Sequence, residues 1–161
     1  MTPNSPRHTR IELRPVSRDD LDEFYAFETD PESAALAGVK PRGRVAFFAH
    51  WETIATDDTV VDRAILADGV VAGRVTRFER DGRAELGYWI GREFWGLGVA
   101  GRGVGLFLEA EPRRPLHAHV SAANPASIRV LERHGFVRTG QSDEPETERY
   151  RAGPVIAFRL D

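Results

Sequence analysis

The sequence predicts an α/β (α+β) fold: a mixed, strongly twisted, mostly antiparallel sheet of about six or seven strands with one parallel pair, and about four helices on its faces. Three observations predict it. Two Asp-Gly turns, Asp68-Gly69 and Asp81-Gly82, separate alternating segments in the manner of an antiparallel meander. A strand over Glu85 to Gly91, a glycine-rich loop, a helix and a further strand over Leu116 to Ser121 follow in that order and supply the parallel pair. The chain has 161 residues, 41% of them hydrophobic, and shows no shift in composition along its length, which is the measure of one domain with a real core.

Each element has its own signal. Met1 to Thr9, with Pro3 and Pro6, reads as a flexible lead-in. Ile11, Leu13 and Pro15 alternate with charged residues as an edge strand does. Ser17 precedes Asp19 and Asp20 as a helix cap would, and Leu21, Phe24, Tyr25 and Glu28 follow at helical spacing. Phe24 and Tyr25 read first as core aromatics and second as a wall of a substrate pocket. Pro31 to Gly43 reads as a flexible connection, and Val45, Phe48, Ala49, Glu52 and Ile54 sketch another helix in which Trp51 reads first as a core residue and second as lining a substrate cleft. Val60 to Ala67, Val70 to Arg80 and the segment ending at Gly91 form the meander. Val99 to Glu109 is helical despite Gly101, Gly103 and Gly105, whose small size suits close backbone packing, and Pro112 and Pro115 stop it. Asn124 caps the next helix with Pro125 at its first position, and Gly135 ends it in a left-handed conformation. Phe136 to Thr139 starts a strand, Gln141 to Glu148 reads as an exposed acidic loop, and Val155 to Leu160 closes the sheet.

Composition excludes several function classes. A net charge of -3 leaves no global footprint for nucleic acid or an acidic membrane. Cysteine is absent, so there is no disulfide framework and no thiol nucleophile. Met1 to Thr9 lacks an apolar signal core and no apolar run approaches membrane-spanning length, which predicts a soluble, cytoplasmic protein. His117-Ala118-His119 has a metal-like spacing, but no third ligand group stands nearby and no metal is expected.

The chemistry concentrates in one stretch. In Trp95-Gly96-Leu97-Gly98-Val99-Ala100, glycine lets the chain bend and approach a ligand without a Cβ in the way, and the helix that follows leaves its first amides free to face an anion. The stretch reads as a pyrophosphate cradle. It is preceded by Glu85-Leu86-Gly87-Tyr88-Trp89-Ile90 and followed by Asn124-Pro125-Ala126-Ser127 and Leu131-Glu132-Arg133-His134-Gly135-Phe136. These three motifs, in this order and covering about a third of the chain tightly, resemble the GNAT N-acetyltransferase superfamily, most closely its ribosomal-protein N-terminal acetyltransferase branch.

The resemblance implies a GNAT-like fold whose parallel strands splay apart to admit acetyl-CoA as cosubstrate. It implies that the pantetheine arm pairs with the backbone of Trp89, Ile90, Gly91 and Arg92. The diphosphate is then held by Trp95, Gly96, Leu97, Gly98, Val99 and Ala100, and Asn124 and Ser127 also meet the coenzyme. An amine must be neutral to attack a thioester, so a base is needed, and Glu85 is the candidate, directly or through a water. The Ile90 N–H is the candidate donor to the oxyanion. Many GNAT enzymes place a tyrosine at the position matching Leu131 to protonate the departing thiolate. Leucine cannot donate, and Ser127 is the substitute. The reading is direct acetyl transfer within a ternary complex to a primary amine, either a protein N-terminus or a small molecule, with no nucleic-acid or membrane partner and with a homodimer compatible. The alternative, supported by Leu131, is a catalytically inactive acyl-CoA-binding sensor of the same fold.

Overall fold

The computed structural model describes residues 10–161, and the lead-in expected over 1–9 lies outside them. Seven strands form one sheet in the order β1-β2-β3-β4-β5-β7-β6. They are β1 (Ile11–Pro15), β2 (Val61–Ala67), β3 (Val70–Arg80), β4 (Arg83–Ile90), β5 (Leu116–Ser121), β6 (Val137–Glu144) and β7 (Gly153–Leu160). The Asp-Gly turns behave as their sequence requires: Asp68 and Gly69 take φ of 50° and 81°, Asp81 and Gly82 take 51° and 76°, and each joins two antiparallel strands. β1 then extends the meander by pairing antiparallel with β2.

The helices are α1 (Leu21–Thr29), α2 (Pro31–Ala37), α3 (Arg44–Ala55), α4 (Val99–Ala110) and α5 (Pro125–Arg133). That is one more than the sequence suggested, because α2 occupies the stretch expected to be a flexible connection. Its ends carry ordinary helix signals in a short span. The Asp30 carboxylate accepts a hydrogen bond from the Ser33 N–H, Pro31 takes the first position, and Gly38 ends the helix at φ 69°. A second difference lies at 141–144, expected as loop, which belongs to β6 and pairs with Gly153 to Ile156 of β7. Every residue of β6 is exposed, so its strand state comes from hydrogen bonding at the sheet edge and leaves no alternating pattern to read.

Two apolar clusters lie on opposite faces of the sheet. On one face Val99, Val104 and Phe107 of α4, with Ile128 and Leu131 of α5, pack on Ile65, Val75, Leu86, Leu116 and Phe158. On the other, Leu21, Phe24 and Phe27 of α1 meet Phe47 and Trp51 of α3. Each fully buried side chain of this size contributes about 1.5–3 kcal/mol relative to exposure. Phe24 and Trp51 stand as core residues, their rings 5.5 Å apart, and Tyr25 packs edge-on to Phe47. Two of the α4 glycines serve close packing. A Cβ at Gly103 would sit 2.8 Å from Ile65 Cδ1, and one at Gly105 would sit 3.0 Å from His134 Cε1. The Gly101 carbonyl lies 2.7 Å from His134 Nε2, which ties the end of α5 to α4.

β4 and β5 are the parallel pair, and they share a single paired position, Glu85 with His117. Beyond it toward Ile90 and Ser121 the strands separate. The sheet therefore opens at its middle, next to the loop that starts α4.

Candidate active site

The loop after β4 has the geometry of an anion cradle. Gly96 and Gly98 take φ of 76° and 75°, and a Cβ built at either would meet no atom within 4 Å. Their need for glycine is thus conformational, and the space in front of them is open. Gly98 is the N-cap of α4, and its carbonyl accepts the first intrahelical bond from the Arg102 N–H at 3.1 Å. The N–H groups of Val99, Ala100 and Gly101 accordingly lie in the open first turn, at the positive end of the helix dipole. Val99 is buried in the core and anchors this turn, while Trp95 and Leu97 remain partly exposed. A coenzyme diphosphate fits such a site, since it needs backbone donors and room for close approach.

The open edge of β4 lies beside the cradle. Gly91 donates its N–H to Ala72 O at 2.9 Å on β3. By the alternation of strand hydrogen bonds, the Ile90 N–H one residue earlier points the other way, toward the split. The Ile90 carbonyl accepts from Trp95 Nε1 at 3.0 Å, so the indole fixes the loop to the strand end. Trp89 lies on the opposite face, where its Nε1 donates to Phe27 O at 3.2 Å. Gly91 is required by packing, because a Cβ there would fall 2.5 Å from the Phe27 ring. Arg92 turns away from the cradle and pairs with Asp30 at 3.1 Å and Glu32 at 2.6 Å, at the start of α2.

Two polar pairs flank the split, one on each face. On the side of α1 and α3, Glu85 of β4 is 3% exposed. His119 Nδ1, on β5, lies 3.0 Å from its Oε1 and 3.2 Å from its Oε2, and Arg80 of β3 approaches Oε2 at 3.8 Å. Burial pushes the Glu85 carboxyl up, but the His119 hydrogen bond and the Arg80 charge outweigh it and hold the group below the ordinary glutamate value. On the side of α4 and α5, Tyr88 Oη lies 2.6 Å from Ser127 Oγ and donates to Ser127 O at 3.0 Å. Burial pushes the Tyr88 phenol up to about 12, opposed by its bond to Ser127. Asn124 caps α5, its Oδ1 accepting from the Ser127 N–H at 3.3 Å. Leu131 is wholly buried in the core of that face.

A groove of about 1160 Å³ joins the split to the side of the sheet covered by α1, α2 and α3, and Glu85, Tyr88, Trp89, His119, Asn124 and Ser127 line it. Its far end is marked by Glu28, Arg42, His50, Arg74 and Arg149. Arg74 lies over the Trp51 ring at 5.0 Å and stands 3.7 Å from both Glu28 and Asp62. Arg149 donates to Lys40 O at 2.6 Å and stands 3.6 Å from Glu28. Burial, then the charges of Arg42, Arg74 and Arg149, push His50 down to about 4.

Of the residues chosen from sequence, the structure gathers Glu85, Ile90, Asn124, Ser127 and the loop 95–100 around one split. Arg92 stands outside that cluster, the Gly91 N–H is taken by Ala72 O on β3, and by the same alternation the Trp89 backbone also faces β3 while its ring packs against α1. Two residues were missed. Tyr88 stood in view within the strand motif, but only the fold brings it to Ser127, 39 positions away. His119 was weighed only as a metal ligand, whereas its partner is Glu85, 34 positions away.

Comparison with known proteins agrees with this geometry. The sequence model of the Acetyltransferase (GNAT) domain matches residues 10–137. An uncharacterised N-acetyltransferase p20 of Bacillus licheniformis is 24% identical over 164 residues, covering 94% of this chain and 92% of that protein. Among solved structures, the spermidine N-acetyltransferase of Vibrio cholerae in complex with CoA and spermine superposes with a TM-score of 0.80 at 19% identity, covering 93% of this chain and 94% of that one. An N-acetyltransferase from Staphylococcus aureus Mu50 gives a TM-score of 0.78 at 21% identity, with 94% and 98% covered. With its splayed strand pair and glycine cradle, and with the family model matched over most of its length, this chain belongs to the GNAT acetyltransferase domain family and is an N-acetyltransferase that uses acetyl-CoA.

Proposed function

We propose that the chain transfers the acetyl group of acetyl-CoA to the primary amine of a small molecule that also carries an anionic group, such as a carboxylate or phosphate, by direct attack in a ternary complex. The observation that carries this reading is the single pairing between β4 and β5, which leaves the edge of β4 near Ile90 open beside the Gly96–Gly98 cradle. The cradle amides hold the diphosphate. The open edge receives the pantetheine arm as an added strand, and the Ile90 N–H points to where oxyanion charge grows, a contact worth about 3 kcal/mol to the transition state. With no cysteine in the sequence, no thiol is available for an acyl-enzyme intermediate, in keeping with direct attack.

The charge of the groove supports the choice of acceptor. Burial first, and then the charges of Arg42, Arg74 and Arg149, oppose protonation of His50; these three guanidiniums outnumber the carboxylates of Glu28 and Asp62 beside them, so a carboxylate or phosphate is favoured there over a cation. A polyamine such as the spermine bound in the Vibrio cholerae relative carries the opposite charge. The test is titration calorimetry with acetyl-CoA, followed by turnover assays on spermidine, uncharged primary amines, amino acids, short acidic peptides and phosphorylated amines. Acetyl-CoA binding is expected, with kcat/KM highest for the anionic amines. Preference for spermidine overturns the acceptor reading. Binding without turnover of any amine favours an acyl-CoA sensor instead.

A further inference from the structure

We propose that His119 is the catalytic base of this site and that Glu85 is its positioning residue, which reverses the role that the strand motif alone assigns to Glu85. The proposal rests on the acetyltransferase reading of the site. Three observations carry it: exposure, hydrogen bonding and placement. The Glu85 side chain is 4% exposed and that of His119 is 40% exposed, although both line the groove. A group that must meet an incoming amine is the exposed one. Both Glu85 oxygens face His119 Nδ1, at 3.0 and 3.2 Å, with Arg80 adding its charge at 3.8 Å, so the carboxylate is directed inward. Finally, the pair bridges the two strands at the mouth of the split. Glu85 is paired in register with His117, and His119, two residues further along β5, shares that face.

The hydrogen bond fixes which imidazole nitrogen is free. An ionised carboxylate can only accept, so the shared proton lies on Nδ1, and in the neutral ring the lone pair is therefore on Nε2. This is the arrangement in which a buried carboxylate holds an imidazole in one tautomer and balances the imidazolium that forms. The ammonium form of the acceptor gives one proton to Nε2, and the neutral nitrogen bonds to the acetyl carbon. As the carbon–sulfur bond breaks with its electron pair on sulfur, the attacking nitrogen sheds its second proton, which ends on the thiolate as the free thiol, and the imidazolium held by Glu85 returns its proton to solvent. The Tyr88–Ser127 hydroxyl pair lies on the opposite face of the split, so a thiolate stabilised there would be separated by the sheet from the base.

Two measurements test this. Long-range ¹H–¹⁵N NMR of the unsubstituted, ligand-free chain reads the His119 tautomer without any turnover. A protonated Nδ1 and bare Nε2 are expected, with the preference lost in Glu85→Gln. A neutral ring that carries its proton on Nε2 overturns the proposal. In kinetics, His119→Asn keeps a donor in place of Nδ1 but has no base. It is expected to keep its melting temperature and acetyl-CoA affinity while kcat falls roughly 10²–10⁴-fold. Glu85→Gln is expected to lose less, because Nε2 remains. If His119→Asn stays within about threefold of the unsubstituted chain, or Glu85→Gln is the more damaged of the two, Glu85 is the base and the proposal is wrong. Failure of the acetyltransferase reading would look different: the unsubstituted chain would turn over no amine while the tautomer stayed readable.

Discussion

Replacing Gly98 by alanine separates the cradle from the fold that carries it. Gly98 has φ 75°, and a Cβ there meets nothing within 4 Å. The folded state therefore bears only the cost of a left-handed alanine, about 1–2 kcal/mol, with no clash added. For a chain of this size that lowers the melting temperature by roughly 2–8 °C. Gly69, in the β2–β3 turn, is a matched control: its φ is 81° and its Cβ space is equally empty, but it lies outside the cradle. Gly98→Ala and Gly69→Ala should thus melt at similar temperatures. Their affinity for acetyl-CoA should differ, because the new methyl at 98 occupies space in front of the open amides of α4. Loss of about 1.4 kcal/mol of binding raises Kd tenfold, and calorimetry should find at least that for Gly98→Ala and no change for Gly69→Ala. Equal affinities in the two variants, alongside equal melting losses, would refute the placement of the diphosphate at this loop.

Two further predictions use other parts of the site. Tyr88→Phe removes the hydroxyl that bonds to Ser127 O and Oγ, which should cost about 1–3 kcal/mol in urea unfolding at two hydrogen bonds, and should lower kcat more than it raises the KM for acetyl-CoA. An unchanged kcat would remove Tyr88 from the thiolate side of the site. His50 gives a pH dependence whose sign is fixed. Its pKa falls from 6.5 to about 4 on folding, so the unfolded chain binds more protons in that interval. Its contribution to stability is present above pH 6.5 and is lost as pH falls toward 4. The urea midpoint should drop across this window and His50→Gln should flatten the drop, by an amount reduced by solvent screening because the ring is only partly buried.

Local signals made much of the fold legible. The Asp-Gly pairs dictate their turns because each needs positive φ at both positions, and Asn124-Pro125 with Gly135 marks both ends of α5. Where such signals are weak, the sequence says less. α2 spans only 7 residues, of which Ser33 and Ala34 alone are buried, too few to show a helical stripe. β6 exposes both faces, so no period of two marks it. The site divides along the same line. The cradle is local chain and was readable as such. The Glu85–His119 contact depends on which strand sits beside β4, and the fate of Arg92 depends on a helix whose end signals lack an apolar stripe between them.

The lone rung between Glu85 and His117 has a consequence for the whole molecule. Residues 11–90 build one half of the sheet and residues 116–160 the other, so the chain crosses the seam once, through α4, and does not return. The halves are still tied elsewhere, by the bridge between Val39 and Tyr150 and by the apolar core they share under α4 and α5. A coenzyme arm seated in the gap would add rungs at the seam itself, so ligand and protein together would complete the hydrogen bonding of one continuous sheet.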